Sequence, residues 1–268
     1  MTSPSPGVAL ITGASAGIGA IYAERLAQRG YDLVLVARNR ERLHQLAARI
    51  VDTTGREVRV LVADLADPQD VATVEQELRD NPRLSVLVNN AGVGATHPLL
   101  DSSIESMRRM ITLNVEALTQ LTYAAVPGLV ARGSGTIINI ASIVAVAPEI
   151  LNGVYGASKA YVLAFSQSLR HELADKGVRV QVVLPGATAT EFWDNAGLPI
   201  SNVPQDIIMS AANMVDAALA GLDQGEFATV PALPDAADWN AYEQARQVLL
   251  PQLSRATPAA RYGIGQAG

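Results

Sequence analysis

Short apolar runs alternate with longer segments of helical length along most of the chain. Each run is apolar along most of its length, which is typical of parallel strands covered on both faces. The alternation predicts an α/β fold, a doubly wound parallel sheet of about seven strands between two layers of helices. The predicted strands are Val8–Ile11, Leu33–Ala37, Val58–Val62, Val86–Val88, Thr136–Ile140, Val178–Leu184 and Phe227–Val230.

The segments around these strands have lengths and patterns that predict helices. Residues 186–204 break the alternation and predict a loop, and a loop of that length in a compact domain is usually functional. Because no linker rich in Gly, Pro or Ser divides the sequence, we expect one domain over residues 1–268. The predicted helices are Ile18–Arg29, Arg40–Thr53, Pro68–Arg79, Ser102–Ala131, Gly153–Asp175, Gln205–Leu222 and Asp238–Leu253.

Composition narrows the class of partner. The formal net charge is −6 and basic residues do not cluster, which argues against nucleic-acid binding. The chain has no cysteine, so disulfides and thiolate ligands are excluded. No apolar stretch approaches the roughly 20 residues of a membrane span, and the polar start MTSPSPG lacks the order of a signal peptide. We expect a soluble cytoplasmic protein with a small-molecule substrate and no metal.

Three glycines follow the first predicted strand in the segment Thr12-Gly-Ala-Ser-Ala-Gly-Ile-Gly19. Gly13 allows a tight turn, Gly17 lets a pyrophosphate approach the backbone, and Gly19 lets the next helix pack against the sheet. The start of that helix offers unpaired N–H groups and a positive dipole end. The segment therefore predicts a dinucleotide site, with Ser15 and Ile18 within the same turn.

The end of the second predicted strand bears on which dinucleotide binds. NAD-preferring proteins of this kind place an acidic residue there to bind the ribose hydroxyls. This chain has Ala37 at that point and Arg38 just beyond it, with Arg40 and Arg42 close by. A guanidinium can bind a 2′-phosphate bidentately, whereas an acid would repel it. The pattern favours NADP(H) over NAD.

Tyr155 and Lys159 are four residues apart in a predicted helix, so both project from one face. A free tyrosine has a pKa of about 10 and is a poor base at neutral pH. A nearby ammonium is expected to lower that pKa, so that Tyr155 can exchange a proton with a carbonyl or alcohol substrate. Ser142, just past the fifth predicted strand, is placed to hold the substrate oxygen.

These motifs, in this order and spacing, resemble the short-chain dehydrogenase/reductase family, in its compact single-domain branch with a Rossmann fold. The resemblance covers roughly residues 7–190 and implies that Asn114 joins Ser142, Tyr155 and Lys159 in catalysis. It implies that the backbone carbonyl of Asn114 positions a water, and that Lys159 binds the nicotinamide ribose. Further cofactor contacts implied by the resemblance are Asp64 and Leu65, Asn90, Ala91 and Gly92, Pro185 and Gly186, and Thr188 and Thr190.

The substrate is expected to meet a mostly apolar lining, which suits an uncharged ketone, aldehyde or secondary alcohol. Trp193 is expected either to cover this pocket as a lid or to anchor its loop. The predicted lining is Val93–His97, Ile143–Glu149 and the loop from Thr188 to Leu198, with His97, Glu149 and Asp194 as polar exceptions.

Three functions remain open from the sequence. The first is a carbonyl reductase that uses NADPH. The second is a 3-oxoacyl-carrier-protein reductase, for which Arg108 and Arg109 would have to form a basic dock. The third is a non-catalytic NADP-binding regulator, which both Tyr155 and Lys159 argue against. By the family resemblance we also expect a homodimer or homotetramer, paired through the helices predicted at 102–131 and 153–175.

Overall fold

A computed structural model describes residues 5–264 of the chain. Its elements follow the predicted alternation of strand and helix. The strands are β1 (Val8–Thr12), β2 (Asp32–Ala37), β3 (Val58–Val62), β4 (Leu84–Asn89), β5 (Gly135–Ile140), β6 (Val178–Val183), β7 (Thr188–Ala189), β8 (Met209–Ser210) and β9 (Ala228–Thr229). The helices are α1 (Gly17–Gln28), α2 (Arg40–Thr54), α3 (Pro68–Asp80), α4 (Ile104–Ile111), α5 (Leu118–Arg132), α6 (Gly153–Leu173), α7 (Phe192–Asn195), α8 (Ala211–Asp223) and α9 (Ala236–Leu249).

The main sheet has seven parallel strands in the order β3-β2-β1-β4-β5-β6-β9. Strand β1 lies between β2 and β4, so the direction in which the chain adds strands reverses there. In open α/β sheets ligands bind outside the carboxyl ends of the strands at such a switch point. The doubly wound fold is confirmed. It places the candidate site at the carboxyl ends of the strands, next to β1.

Helices cover both faces of the sheet. Side chains of α1, α2 and α8 join one buried cluster with the strands, to which α1 contributes Tyr22 and α8 contributes Leu219. Helix α3 packs against α5, and α6 packs against β6. Residues of β1 and β2 are buried along their whole length, as a strand covered on both sides requires.

The long helix predicted over 102–131 is not one α-helix. Ser103 caps the start of α4, and the turn Thr112–Ala117 is π-helical before α5 begins. Single π turns inside helices are frequent at functional sites. Here the wider turn carries Asn114, whose side chain hydrogen-bonds to both backbone groups of Val93.

The C-terminal third differs most from the prediction. The segment 186–204 contains β7 and α7, so it has more regular structure than expected. The helix predicted from Gln205 starts only at Ala211, because Ser210 accepts the capping hydrogen bond from Asn213 N–H. The last helix, α9, ends at Leu249, just before a 3-10 turn that contains Pro251.

The chain separates into two compact units, Met1–Pro231 and Ala232–Gly268. The second unit contains α9, in which Trp239 packs against Tyr242 with ring centroids 5.2 Å apart. That residues 1–268 form one domain stays a prediction. The first four residues of the polar start MTSPSPG lie outside the described residues. Within 5–264, none of the helices has the length and apolar character that crossing a bilayer demands.

Candidate active site

A cavity of about 880 Å³ opens at the carboxyl ends of the parallel strands. Gly19 and Asn114 are the predicted site residues that do not line it. The structure therefore gathers positions from Gly13 to Thr190 into one cleft. The predicted residues on its wall are Gly13, Ser15, Gly17, Ile18, Arg38, Asp64, Leu65, Asn90, Ala91, Gly92, Ser142, Tyr155, Lys159, Pro185, Gly186, Thr188 and Thr190.

The glycine turn after β1 has the form that the sequence predicts. Gly13 has φ +66° and Gly17 has φ +54°, a left-handed conformation that side chains disfavour. A Cβ on Gly19 would overlap the carbonyl oxygen of Gly13. Gly19 is therefore a packing glycine beneath the turn, while Gly13 and Gly17 leave their backbone open to the cleft.

Thr12 and Asn90 join the glycine turn to the loop after β4. The Thr12 hydroxyl accepts hydrogen bonds from the N–H groups of Asn90 and Ala91, at 3.0 and 2.9 Å. The Asn90 side-chain amide donates to the Thr12 carbonyl at 2.8 Å. Asn90 thus holds two strand ends together, and the sequence did not single out Thr12 as its partner.

Arginines surround the end of β2, but they differ in what they contact. Arg42 forms an ion pair with Glu191 at 2.7 Å, across the mouth of the cleft. The Arg38 side chain lines the cleft and has no ion pair among the residues that the structure describes. Arg40 is exposed and does not line the cleft. Arg38 is therefore the cation best placed to meet a ligand here.

Asp64 follows β3, and its carboxylate has several protein partners. It accepts a hydrogen bond from Ala66 N–H at 3.0 Å and pairs with Arg109 of α4 at 2.8 Å. Burial opposes ionisation of Asp64, but these hydrogen bonds and the charges of Arg109 and Arg38 hold its pKa below the ordinary value. Arg109 is thus paired with Asp64, so Arg108 and Arg109 do not form a free pair of cations.

Tyr155, Ser142 and Lys159 converge at the centre of the cleft. Lys159 Nζ lies 6.0 Å from the centroid of the Tyr155 ring and donates a hydrogen bond to the Ile140 carbonyl at 2.9 Å. Ser142 hydrogen-bonds with the Tyr155 side chain. Because β5 supplies Ile140 and Ser142 follows it directly, that one strand end holds all three groups.

The family model described as short chain dehydrogenase matches residues 7–199. The chain belongs to the short-chain dehydrogenase family. Among solved structures, this short-chain dehydrogenase is similar to one from Sphingobium yanoikuyae in complex with NADPH. The two are 48% identical with a TM-score of 0.93, and the match covers 96% of this chain and 99% of that one.

Two further relatives differ in what their names describe. A bulky-bulky ketone specific alcohol dehydrogenase from Comamonas testosteroni is 42% identical with a TM-score of 0.87, over 96% of this chain and 98% of that one. A very-long-chain 3-oxoacyl-CoA reductase from Anas platyrhynchos is 36% identical over 191 residues, which is 69% of this chain. The match spans 60% of the length of that relative.

Burial shifts the pKa values of Tyr155 and Lys159, which both lie on α6 of this dehydrogenase. It raises the pKa of Tyr155 to about 12, against a smaller lowering by the Ser142 hydrogen bond. It lowers the pKa of Lys159 to about 8. The sequence predicted that Lys159 would lower the pKa of Tyr155. That prediction is wrong for the protein alone, because burial disfavours the charged phenolate and the one group that lowers the pKa of Tyr155 is Ser142, not Lys159.

The side chain of Asn114 holds the loop after β4 in place. Its amide donates to the Val93 carbonyl at 2.8 Å and to the Ser158 hydroxyl at 3.1 Å, and its Oδ1 accepts from Val93 N–H at 2.9 Å. These bonds hold the backbone at Val93 against α6. A part for the Asn114 backbone carbonyl in proton relay stays a prediction.

Asn152 caps the start of α6, and the sequence did not single it out. Its side-chain oxygen accepts hydrogen bonds from the N–H groups of Val154 and Tyr155 at the start of α6. Its amide donates to the His97 carbonyl at 2.7 Å and to the Ser102 hydroxyl. Asparagine is a favoured cap, so Asn152 three residues before Tyr155 was a readable signal.

The substrate end of the cleft is mostly apolar, as the sequence predicted. His97, Glu149 and Asp194 do not line it, so the expected polar exceptions are wrong. Trp193 is buried and its indole N–H donates to the Thr188 carbonyl at 2.9 Å, so Trp193 anchors the loop. Ile150 and Leu151, just past the predicted Ile143–Glu149, also line the cleft. The chain after α7 returns to it as well and adds Asn202, Val203, Pro204 and Ile207.

Proposed function

We propose that this short-chain dehydrogenase is an NADP(H)-dependent oxidoreductase that interconverts a carbonyl compound and a secondary alcohol. The observation that carries the proposal is the convergence of Ser142, Tyr155 and Lys159 beside an open glycine turn in one cleft. A buried acid–base group next to a dinucleotide cradle suits this reaction class.

Each of the three side chains has a task in reduction. Tyr155 remains a phenol at neutral pH, because burial raises its pKa to about 12, so it holds the proton that the substrate oxygen needs. Ser142 donates a hydrogen bond to that oxygen and stabilises the charge that develops on it. Lys159 stays mostly protonated near neutral pH and favours any phenolate that forms. NADP(H), when bound, supplies or removes the hydride.

The shape of the cradle supports a dinucleotide. Gly13 and Gly17 leave backbone N–H groups uncovered at the start of α1, where the helix dipole favours phosphate. A Cβ on Gly13 would lie 2.7 Å from the side-chain amide nitrogen of Asn90, so this point of the turn has no room for a side chain. Gly13, Gly17 and the following residues would hold the pyrophosphate, and Lys159 would hold the nicotinamide ribose.

The phosphorylated cofactor is supported by charge at the end of β2. No acidic side chain stands at Ala37, and Arg38 lines the cleft without an ion pair in the described part of the chain. The similar structure from Sphingobium yanoikuyae holds NADPH, which agrees with this charge pattern. Arg42 is a weaker candidate for the 2′-phosphate because Glu191 already pairs with it.

We propose that the substrate is an uncharged ketone with at least one bulky apolar group. The cleft beside Tyr155 is walled by aliphatic and aromatic side chains, among them Val144, Leu151 and Phe192. Such a lining gives a charged substrate no partner and favours apolar surface. The similar enzyme from Comamonas testosteroni is described as specific for bulky-bulky ketones, which points the same way.

A 3-oxoacyl thioester is the second candidate substrate. It is favoured by the similar reductase from Anas platyrhynchos, whose name places it in that class. The dock that a protein carrier would need is not supported, because Arg109 is paired with Asp64. A non-catalytic role is disfavoured because Ser142, Tyr155 and Lys159 are all present and close together.

We further propose that the enzyme is a homo-oligomer that pairs through α5 and α6. Tyr123 of α5 is 70% exposed and stacks on Phe165 of α6, which also stacks on Tyr161. Exposed aromatic clusters of this kind are enriched at interfaces. Light scattering is expected to give a multiple of the 28.2 kDa chain mass, and a monomer mass would contradict this part of the proposal.

Arg38→Ala is expected to raise KM for NADPH by about tenfold or more while changing KM for NADH little, because a charge-assisted bond to the 2′-phosphate is lost. Arg40→Ala is the matched control and should change both KM values by less than about twofold. Initial rates with each cofactor give the measurement. Equal effects of Arg38→Ala on the two cofactors would remove the 2′-phosphate assignment.

The proposed reaction is tested with a panel of apolar ketones and 3-oxoacyl thioesters, following NADPH consumption. The wild-type enzyme should reduce the ketones faster. Tyr155→Phe should slow the reduction by about 100-fold or more, because it removes the proton donor and leaves the ring. Tyr161→Phe, on the same helix but outside the cleft, is the control. Turnover by Tyr155→Phe at the wild-type rate would sink the mechanism.

A further inference from the structure

The ring of Phe192 lies on Gly94, beside the reacting hydroxyl. Its centroid is 5.6 Å from that of Tyr155, with the two planes tilted by 43°. A Cβ on Gly94 would overlap the tip of the Phe192 ring. Gly94 is therefore a notch in the wall of the cleft, and the phenyl ring fills it.

Several contacts hold Phe192 in that notch. The ring packs edge-on against Trp193 at 5.6 Å and a right angle, and Trp193 is tied to the Thr188 carbonyl. At the other end of α7, both the N–H and the hydroxyl of Thr96 donate to the Ala196 carbonyl, at 3.2 and 2.8 Å. The loop after β4 and the helix α7 are thus fastened on both sides of the Gly94 contact.

The surroundings make this ring part of the substrate wall. Phe192 and Val93 pack on a buried cluster that contains Val144 and Tyr155. Phe192 itself is only half-buried and lines the cavity. Its ring therefore forms part of the cleft wall beside Tyr155, where a substituent of the carbonyl substrate would lie.

We propose that Phe192, seated on Gly94, is a specificity-determining residue that sets the size of one substituent of the ketone. The inference rests on the proposed reductase function. With the ring in place, only a small group fits in the cleft beside Tyr155, where it packs against the free face of the ring. Without the ring, the space admits a larger group, and a small group loses the apolar surface that held it.

The test compares two ketones that differ in one substituent, acetophenone with a methyl group and benzophenone with a second phenyl ring. The quantity measured is the ratio of kcat/KM for benzophenone to that for acetophenone. Phe192→Ala is expected to raise this ratio by about tenfold or more. Phe227→Ala is the matched control, because this ring packs against Arg170 and does not line the cleft.

Gly94→Ala tests whether the notch holds the ring. In the wild-type background its Cβ must displace Phe192, so the ratio should change by more than about threefold. In the Phe192→Ala background the ring is gone, so adding Gly94→Ala should change the ratio by less than about twofold. Because each ratio comes from one preparation, a partial loss of folded enzyme cancels.

The outcomes separate the two proposals. If the wild-type enzyme reduces neither ketone with either cofactor, the proposed function itself fails. If it reduces both and Phe192→Ala leaves the ratio unchanged, Phe192 does not set specificity and only this inference is overturned. If Gly94→Ala shifts the ratio equally in both backgrounds, the Gly94 notch does not act through Phe192.

Discussion

The hydrogen bond from Lys159 Nζ to the Ile140 carbonyl is the contact on which the active site depends. An ammonium inside the protein needs a partner, since burial alone costs several kcal/mol. Ile140 ends β5, so meeting this need locks α6 to the strand edge. Because α6 is held there, its Tyr155 lies close to Ser142, which follows β5. The closeness of Tyr155, the proposed proton donor, to Ser142, the proposed oxygen-binding group, thus follows largely from the hydrogen bond that Lys159 makes with Ile140.

The cleft built around this contact has two ends with different physical character. At the end of β1 and β2, uncovered backbone N–H groups and Arg38 offer positive potential to a phosphorylated ligand. Beside Tyr155, the wall is apolar and shaped by α7. Glu191 connects the two ends, because it precedes Phe192 in sequence and pairs with Arg42 across the mouth. A hydride-transferring enzyme needs this division, with charge bound at one end and the carbonyl carbon kept among apolar groups at the other.

Local patterns were enough to predict the seven strands of the main sheet, the glycine turn and the group around Tyr155, because strand periodicity and short motifs encode them directly. Contacts between distant segments were not readable. The pairing of Asp64 with Arg109 and the seat of Phe192 on Gly94 join parts of the chain that only the folded sheet brings together. The break of the predicted helix at Asn114 has the same origin, since its partner Val93 lies in another loop.

The pKa of Tyr155 shows where local reasoning was insufficient. Spacing alone placed an ammonium near the phenol and predicted a lower pKa. In the folded protein, burial removes the hydroxyl from water and raises the pKa of Tyr155, and the smaller lowering comes from Ser142 and not from Lys159. The acid in the proposed reduction is therefore a phenol kept neutral by its apolar surroundings.

The most direct test of this account is an ultraviolet difference titration of the free wild-type protein against Tyr155→Phe, which reports the phenolate of Tyr155 alone. We expect the two curves to coincide through neutral and mildly alkaline pH and to separate only toward a pKa of about 12. A difference of one tyrosine with a midpoint below the ordinary value of 10 would contradict it.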